Sequence, residues 1–152
     1  MKRESMHKLD RIRLVEVALR VSLAAAFLSA VADRFGWWEP FGQGTWGNMA
    51  SFAAYVNQMI PFVSGWLLTV IAWASTAAEV ILGILLLIGW KPSLVGAVSC
   101  LLLITFGIAM ALSLGAEAPL SYSVFTAASA AAAYAIRSAP PHTRGTREAS
   151  FQ

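Results

Sequence analysis

The stretch Ala78-Glu79-Val80-Ile81-Leu82-Gly83-Ile84-Leu85-Leu86-Leu87-Ile88-Gly89 decides the fold. It closes an apolar run from Phe62 to Ile88 in which Glu79 is the one ionisable side chain. About 20 helical residues cross a hydrocarbon core of about 30 Å, and this run exceeds that length. Backbone groups in lipid must bond within their own segment, so the run is expected to be a helix. The turn Gly89-Trp90-Lys91-Pro92 follows, then a second long run from about Leu94 to Leu114. That order predicts an antiparallel hairpin of two spans. Outward from the hairpin lie an apolar run at about Leu14–Val31 and another at about Leu120–Ile136. The last is short and alanine-rich, so it is expected to cross by packing on its neighbours.

The fold class expected is all-α: an integral membrane four-helix bundle with a short amphipathic interfacial helix between spans 1 and 2. The organisation is a basic tail (1–13), a transmembrane domain (14–137, with spans 14–31, 62–88, 94–114 and 120–136 and an outer loop 36–61) and a disordered tail (138–152).

Composition agrees. Of 152 residues, 58% are hydrophobic and 12% charged, whereas soluble chains run near 45–50% and about 25%. Too few charges remain to cover a globular surface in water. The single cysteine, Cys100, rules out an internal disulfide, and the two histidines stand near the ends. No metal site is expected.

The net charge of +3 records topology rather than nucleic-acid binding. Lys2, Arg3, Lys8, Arg11, Arg13 and Arg20 precede or enter the first run, and Arg137, Arg144 and Arg147 follow the last. The opposite side holds Asp33, Arg34, Glu39 and Glu117. With four spans, both termini are expected on the cytoplasmic side of the membrane. A competing reading is cleavage at Ala30-Val31-Ala32, a signal-peptide pattern. Glu16 and Arg20 beside the apolar core argue against it.

Gly36–Pro61 is the one long connection. It carries Trp37, Trp38, Phe41, Trp46, Phe52 and Tyr55. Met49, Phe52, Ala53, Val56 and Ile60 recur at helical spacing, and Asn48 is placed to cap the helix. Trp37, Trp38, Trp46 and Tyr55 form either an ordinary aromatic belt at the membrane surface or a lid over a quinone or lipid headgroup.

Ionisable groups inside a span need a partner or a purpose. Gly65, Thr69, Ala72, Thr76, Glu79 and Gly83 share one stripe of the second span, so Glu79 is expected to face the bundle. Glu16 and Arg20 share a face of the first span with Leu23, Phe27 and Val31. Depth counted from the cytoplasmic ends suggests an Arg20–Glu79 ion pair, with Glu16 competing for Arg20. The pair either sets helix register or serves as a protonatable or ligand site. Gly65, Ala72, Gly83, Gly96 and Gly107 are the candidate packing positions, because small residues let membrane helices approach closely. Asp33 and Arg34, adjacent at the end of the first run, are read as an anchor at the outer surface. Cys100 is read as a small packing residue.

Ala18-Leu19-Arg20, Asp33-Arg34-Phe35-Gly36, a loop helix with Phe52, Tyr55 and Pro61, and the 78–89 segment occur in an order that resembles the DoxX family of four-helix bacterial inner-membrane proteins. The resemblance covers about residues 12–137, and Arg20, Glu79, Gly83 and Gly89 match its pattern. It implies a membrane protein of redox systems. Some members are small subunits of a thiosulfate:quinone oxidoreductase, some associate with redox-stress complexes, and a related group assists maturation of methylamine dehydrogenase. This chain lacks a cysteine pair, which argues against thiol–disulfide exchange, and lacks histidines in its spans, which argues against haem.

Three functions stay open. The first is a non-catalytic membrane subunit or scaffold for a redox protein partner, not an enzyme on its own. The second is a subunit of a quinone-linked oxidoreductase, with quinone as the candidate cofactor. The third is a small-solute or proton transporter. Lipid is an expected partner in each, and the small-residue stripes suit packing within one chain or in a homo-oligomer.

Overall fold

The computed structural model describes residues 2–138, and the side chains from Asp10 onward. Every regular element among them is helical. Helix α1 spans Lys2–Arg34, α2 Met49–Met59, α3 Gly65–Ile88, α4 Pro92–Leu114, α5 Glu117–Ser121 and α6 Val124–Arg137, with a 3-10 turn at Glu39–Phe41. Three are long and apolar enough to cross a membrane: α1 from Asp10 to Arg34, α3 and α4.

The fourth apolar run departs from the expected single helix. It is split into α5 and α6 by Tyr122 and Ser123, and Ser123 adopts a left-handed conformation at φ 55°. The 14 residues of α6 rise about 21 Å, short of a full hydrocarbon core. At the other end, α1 begins at Lys2, so the described part of the basic segment, residues 2–13, continues the helix of the first span. The expected disordered tail falls almost wholly on residues 139–152, outside the described residues.

The turn after α3 follows from its residues. Gly89 takes a left-handed φ of 69°, and Trp90 N–H donates to the Leu85 carbonyl at 3.1 Å while Gly89 N–H donates to that of Leu86. Those two bonds satisfy carbonyls that the helix end leaves free. Pro92 then starts α4, where its missing N–H costs nothing.

Sequence neighbours are not the main packing partners. α1 lies along α3, α4 lies along α6, and α1 touches α6 to join the pairs; α3 and α4 meet less extensively than either pair. Small residues set these approaches. A Cβ at Gly96 would stand 2.9 Å from the Ala135 nitrogen on α6, and one at Gly83 would stand 2.9 Å from Leu28 on α1. At Gly107 it would meet the Phe125 ring at 2.7 Å. One core cluster holds Leu23, Ala24, Phe27, Leu82, Leu86, Val95, Ala131 and Tyr134. A second joins Phe52 and Val56 of α2 to Ala72 of α3. Bulky residues on the other faces, such as Leu101, Ile108 and Leu112 of α4 and Ile81 and Ile88 of α3, are exposed. In water such faces would aggregate; in lipid they are the expected surface.

Candidate functional site

The site is built where α1 ends. Arg34, its last residue, is 3% exposed, and Glu79 of α3 is 2% exposed. Nη2 of Arg34 donates to both carboxylate oxygens of Glu79, at 2.7 and 2.9 Å. Nη1 donates to Thr76 Oγ1 at 2.8 Å, and Thr76 in turn donates to the Ala72 carbonyl one turn earlier. Two charges this deep persist only when paired and bonded, and here each balances the other.

The cation is also stacked. Its central carbon lies 3.7 Å from the centre of the Phe52 ring and 5.6 Å from that of Trp46. Trp46 packs edge-on against Phe52 at 5.2 Å and lies 5.6 Å from Tyr55. Attraction between a desolvated cation and an aromatic face reaches about 2 kcal/mol. Thus α2, capped by Asn48 accepting from Ser51 N–H at 2.9 Å, closes over the ion pair.

Asp33 holds the loop that delivers Trp46. Its carboxylate accepts from Thr45 N–H at 2.9 and 3.0 Å, from Trp46 N–H at 3.3 Å and, more weakly, from Gly47 N–H at 3.5 Å. Successive backbone N–H groups make an anion-binding concavity. Gly44 has φ 113°, and a Cβ there would stand 2.6 Å from Asp33 Oδ1. Trp38 Nε1 donates to the Ser29 carbonyl at 3.1 Å, a second tie between loop and α1. Trp37 is 70% exposed and Phe41 71% exposed on the outside of this cap.

Beneath the cap lies a cavity of about 320 Å³, reached by α1, α2, α3, α4 and the start of α6. Its lining is almost entirely apolar, with Arg34 and Glu79 at one side and Tyr55 and Tyr122 also facing it. Burial first, and the neighbouring Tyr122 second, push the Tyr55 hydroxyl above its ordinary pKa of 10.0.

Several expectations are corrected by this geometry. Glu79 pairs with Arg34, not Arg20. The antiparallel register of α1 on α3 sets Leu28 against Gly83 and Arg20 against Gly89, at the far end of α3. There the guanidinium of Arg20 lies beside Gly89, just past the C-terminal end of α3, where the helix dipole favours a cation. Arg20 and Glu16 both face the buried Tyr134 of α6, and Glu16 accepts from Ser138 Oγ at 2.9 Å. Asp33 and Arg34 are buried rather than anchored at a surface. Of the packing positions, Ala72, Gly83, Gly96 and Gly107 are buried. Gly65, the first residue of α3, is exposed, and a Cβ there would meet nothing within 4 Å.

A sequence signal for Arg34 exists. Arg20, Phe27, Val31 and Arg34 follow one another at helical spacing, so both arginines point toward α3. Phe52 and Asp33 had weaker signals: one aromatic on the inner stripe of α2, and one acid preceding a loop with Gly42, Gly44 and Gly47.

No group of histidine, cysteine, aspartate or glutamate among the described residues is arranged to hold a metal ion. A helical bundle with three long apolar helices and a charged pair sealed inside defines the class, a multi-pass membrane protein. A family model, methylamine utilisation protein MauE, matches residues 12–121, and the chain belongs to that family. The match spans α1 to α5 and includes Asp33, Arg34, Thr76 and Glu79. It falls to MauE, while the likeness to DoxX rests on the order of motifs alone. Comparison with curated proteins and with solved structures finds no match.

Proposed function

We propose that the chain is a membrane subunit that serves a redox system, of the kind its family name associates with methylamine utilisation, and that it acts as a scaffold for a redox protein partner. The observation that carries this reading is the construction of the outer cap. Residues 36–59 are ordered by Asp33, Trp38 and the Arg34 stack, yet Trp37 and Phe41 on their outer side stay exposed. A loop that only joined two spans would need none of these ties. Rigid aromatic side chains on an ordered support suit protein recognition, since little entropy is lost when they are covered.

In this reading α5 and α6 complete a fourth crossing, shortened by packing against α4. Both termini face the cytoplasm of a bacterial cell and the cap faces outward, in accord with the basic residues at the two ends. Likeness to the DoxX group supports the same placement beside redox enzymes.

A second reading, a subunit of a quinone-linked oxidoreductase, is favoured by the apolar cavity that reaches Arg34 and Glu79.

Purification of tagged, full-length protein in mild detergent at native expression tests the first reading. A soluble redox protein recovered in fixed stoichiometry, and lost when Trp37 and Phe41 are both changed to serine, is the expected result. Recovery of the chain alone after chemical cross-linking in intact cells overturns it.

A further inference from the structure

The cavity under α2 has a chemical asymmetry that the ion pair does not explain. Two buried N–H groups on its lining side chains have no hydrogen-bond partner among the described residues, Nε of Arg34 and Nε1 of Trp46. Buried donors left unpaired are rare in native proteins, and each calls for a partner. The lining hydroxyls of Ser75 and Thr105 already donate to carbonyls of their own helices, Ala72 and Leu101. Each oxygen of Glu79 already accepts one hydrogen bond from Arg34. Apart from the hydroxyls of Tyr55 and Tyr122, which can donate or accept, the unpartnered buried polar atoms of the lining are both donors, set in an apolar enclosure.

Charge narrows the class further. Glu79 already neutralises Arg34, so the site offers no net positive charge to a carboxylate or phosphate. A neutral acceptor fits, and an anion would enter without a counter-charge. The two donors belong to neighbouring side chains, since the guanidinium carbon lies 5.6 Å from the centre of the Trp46 ring. One compact head group can meet both. About 320 Å³ is within the range of small-molecule sites.

We infer that this cavity binds a neutral, apolar molecule through a carbonyl oxygen, which accepts from Arg34 Nε and Trp46 Nε1 while its hydrocarbon part fills the space between α1, α2 and α4. A quinone ring and the ester of a membrane lipid both present that oxygen. The site stands without the scaffold reading, and it supplies the ligand that the second reading requires.

The test is thermal unfolding of the full-length protein in an alkyl maltoside, a detergent without carbonyl groups. Three additives of similar chain length are compared: decylubiquinone, a fatty-acid methyl ester and decylbenzene. At least one carbonyl compound is expected to raise Tm by about 3 °C or more, with no shift from decylbenzene. A shift with the quinone alone assigns the site to a quinone ring, and a shift with the ester alone assigns it to lipid. Trp46→Phe, which keeps the stack and removes the donor, is expected to weaken the response at least about fivefold. Ala109→Phe, which fills the cavity, is expected to abolish it; Ala127→Leu serves if Ala109→Phe does not fold. An equal shift with decylbenzene, no shift with any additive, or an undiminished response in the folded cavity-filled variant overturns the inference. None of these results depends on whether a protein partner is found.

Discussion

Arg34 ends α1 and binds Glu79 of α3 through a single nitrogen, Nη2, which reaches both carboxylate oxygens at 2.7 and 2.9 Å. The remaining face of the guanidinium lies on Phe52 of α2. One side chain thus ties together the end of the first long helix, the middle of the second and the helix that covers them. Loss of either charge leaves the other buried and unpaired, which is the costly situation for an ion pair in a low-dielectric interior.

Single substitutions Arg34→Met and Glu79→Gln are each expected to lower stability by about 3–5 kcal/mol. The double variant is expected to lose clearly less than the sum, because the second change removes a charge already stranded. Denaturant unfolding in detergent of all four proteins measures this. Additive losses would show that the two groups do not act as a pair.

Asp33 is the acceptor for the loop that carries Trp46. Asp33→Ala is expected to cost about 1–3 kcal/mol by removing the charged acceptor of several partly buried N–H groups. Amide hydrogen exchange should rise at 44–47 and in α2, with α4 and α6 little changed. Equal exchange in loop and core would contradict the local role.

Arg20 lies at the end of α3 and away from Glu79. Arg20→Gln is therefore expected to be mild, on the order of 0.3–1 kcal/mol from its interaction with the helix terminus. Melting curves of Arg20→Gln and Arg34→Gln side by side check the ranking. A larger loss at Arg20 would reverse the assignment of the structural cation.

Gly96 lets α4 touch the backbone of α6, with the nearest atoms 2.9–3.0 Å from where a Cβ would be. Backbone atoms cannot swing aside as a flexible side chain can. Gly96→Ala is expected to destabilise by about 1–3 kcal/mol, read as a lowered Tm in detergent. An unchanged Tm would mean that the α4–α6 contact relaxes freely.

Gln43 is exposed in the outer loop and Ser138 lies just past α6. In a Cys100→Ser background, Gln43→Cys is expected to react with a membrane-impermeant maleimide in intact spheroplasts, and Ser138→Cys only after permeabilisation. The opposite pattern would invert the proposed orientation, and labelling of both without permeabilisation would remove the fourth crossing.

Much of the fold was legible because the signals are local. The 78–89 segment, the Gly89–Pro92 turn and the helical spacing from Met49 to Ile60 each specify their own backbone, since apolar length, a left-handed glycine and an amphipathic stripe act within a few residues. The Asn48 cap is local too, and it formed as read. The last apolar run was less legible. Whether Leu120–Ile136 is one helix turns on the left-handed Ser123, and no residue there announces a break.

The site was half legible for a related reason. Helical phase placed Glu79 inward, and phase follows from sequence alone. Its partner depends on how far α1 slides along α3, and nothing in either helix sets that distance by itself. Arg20 and Arg34 share a face and are separated by four turns, roughly 21 Å along the axis. The choice between them is made by contacts between elements: Leu28 on Gly83, Arg20 at Gly89, and the α2 cap over Arg34. The sequence by itself determined a membrane helical protein and which faces turn inward, because hydrophobic length and periodicity are carried by each segment alone. Only the tertiary structure decided which charges meet and where a cavity remains, because register between helices is a property of their packed surfaces together.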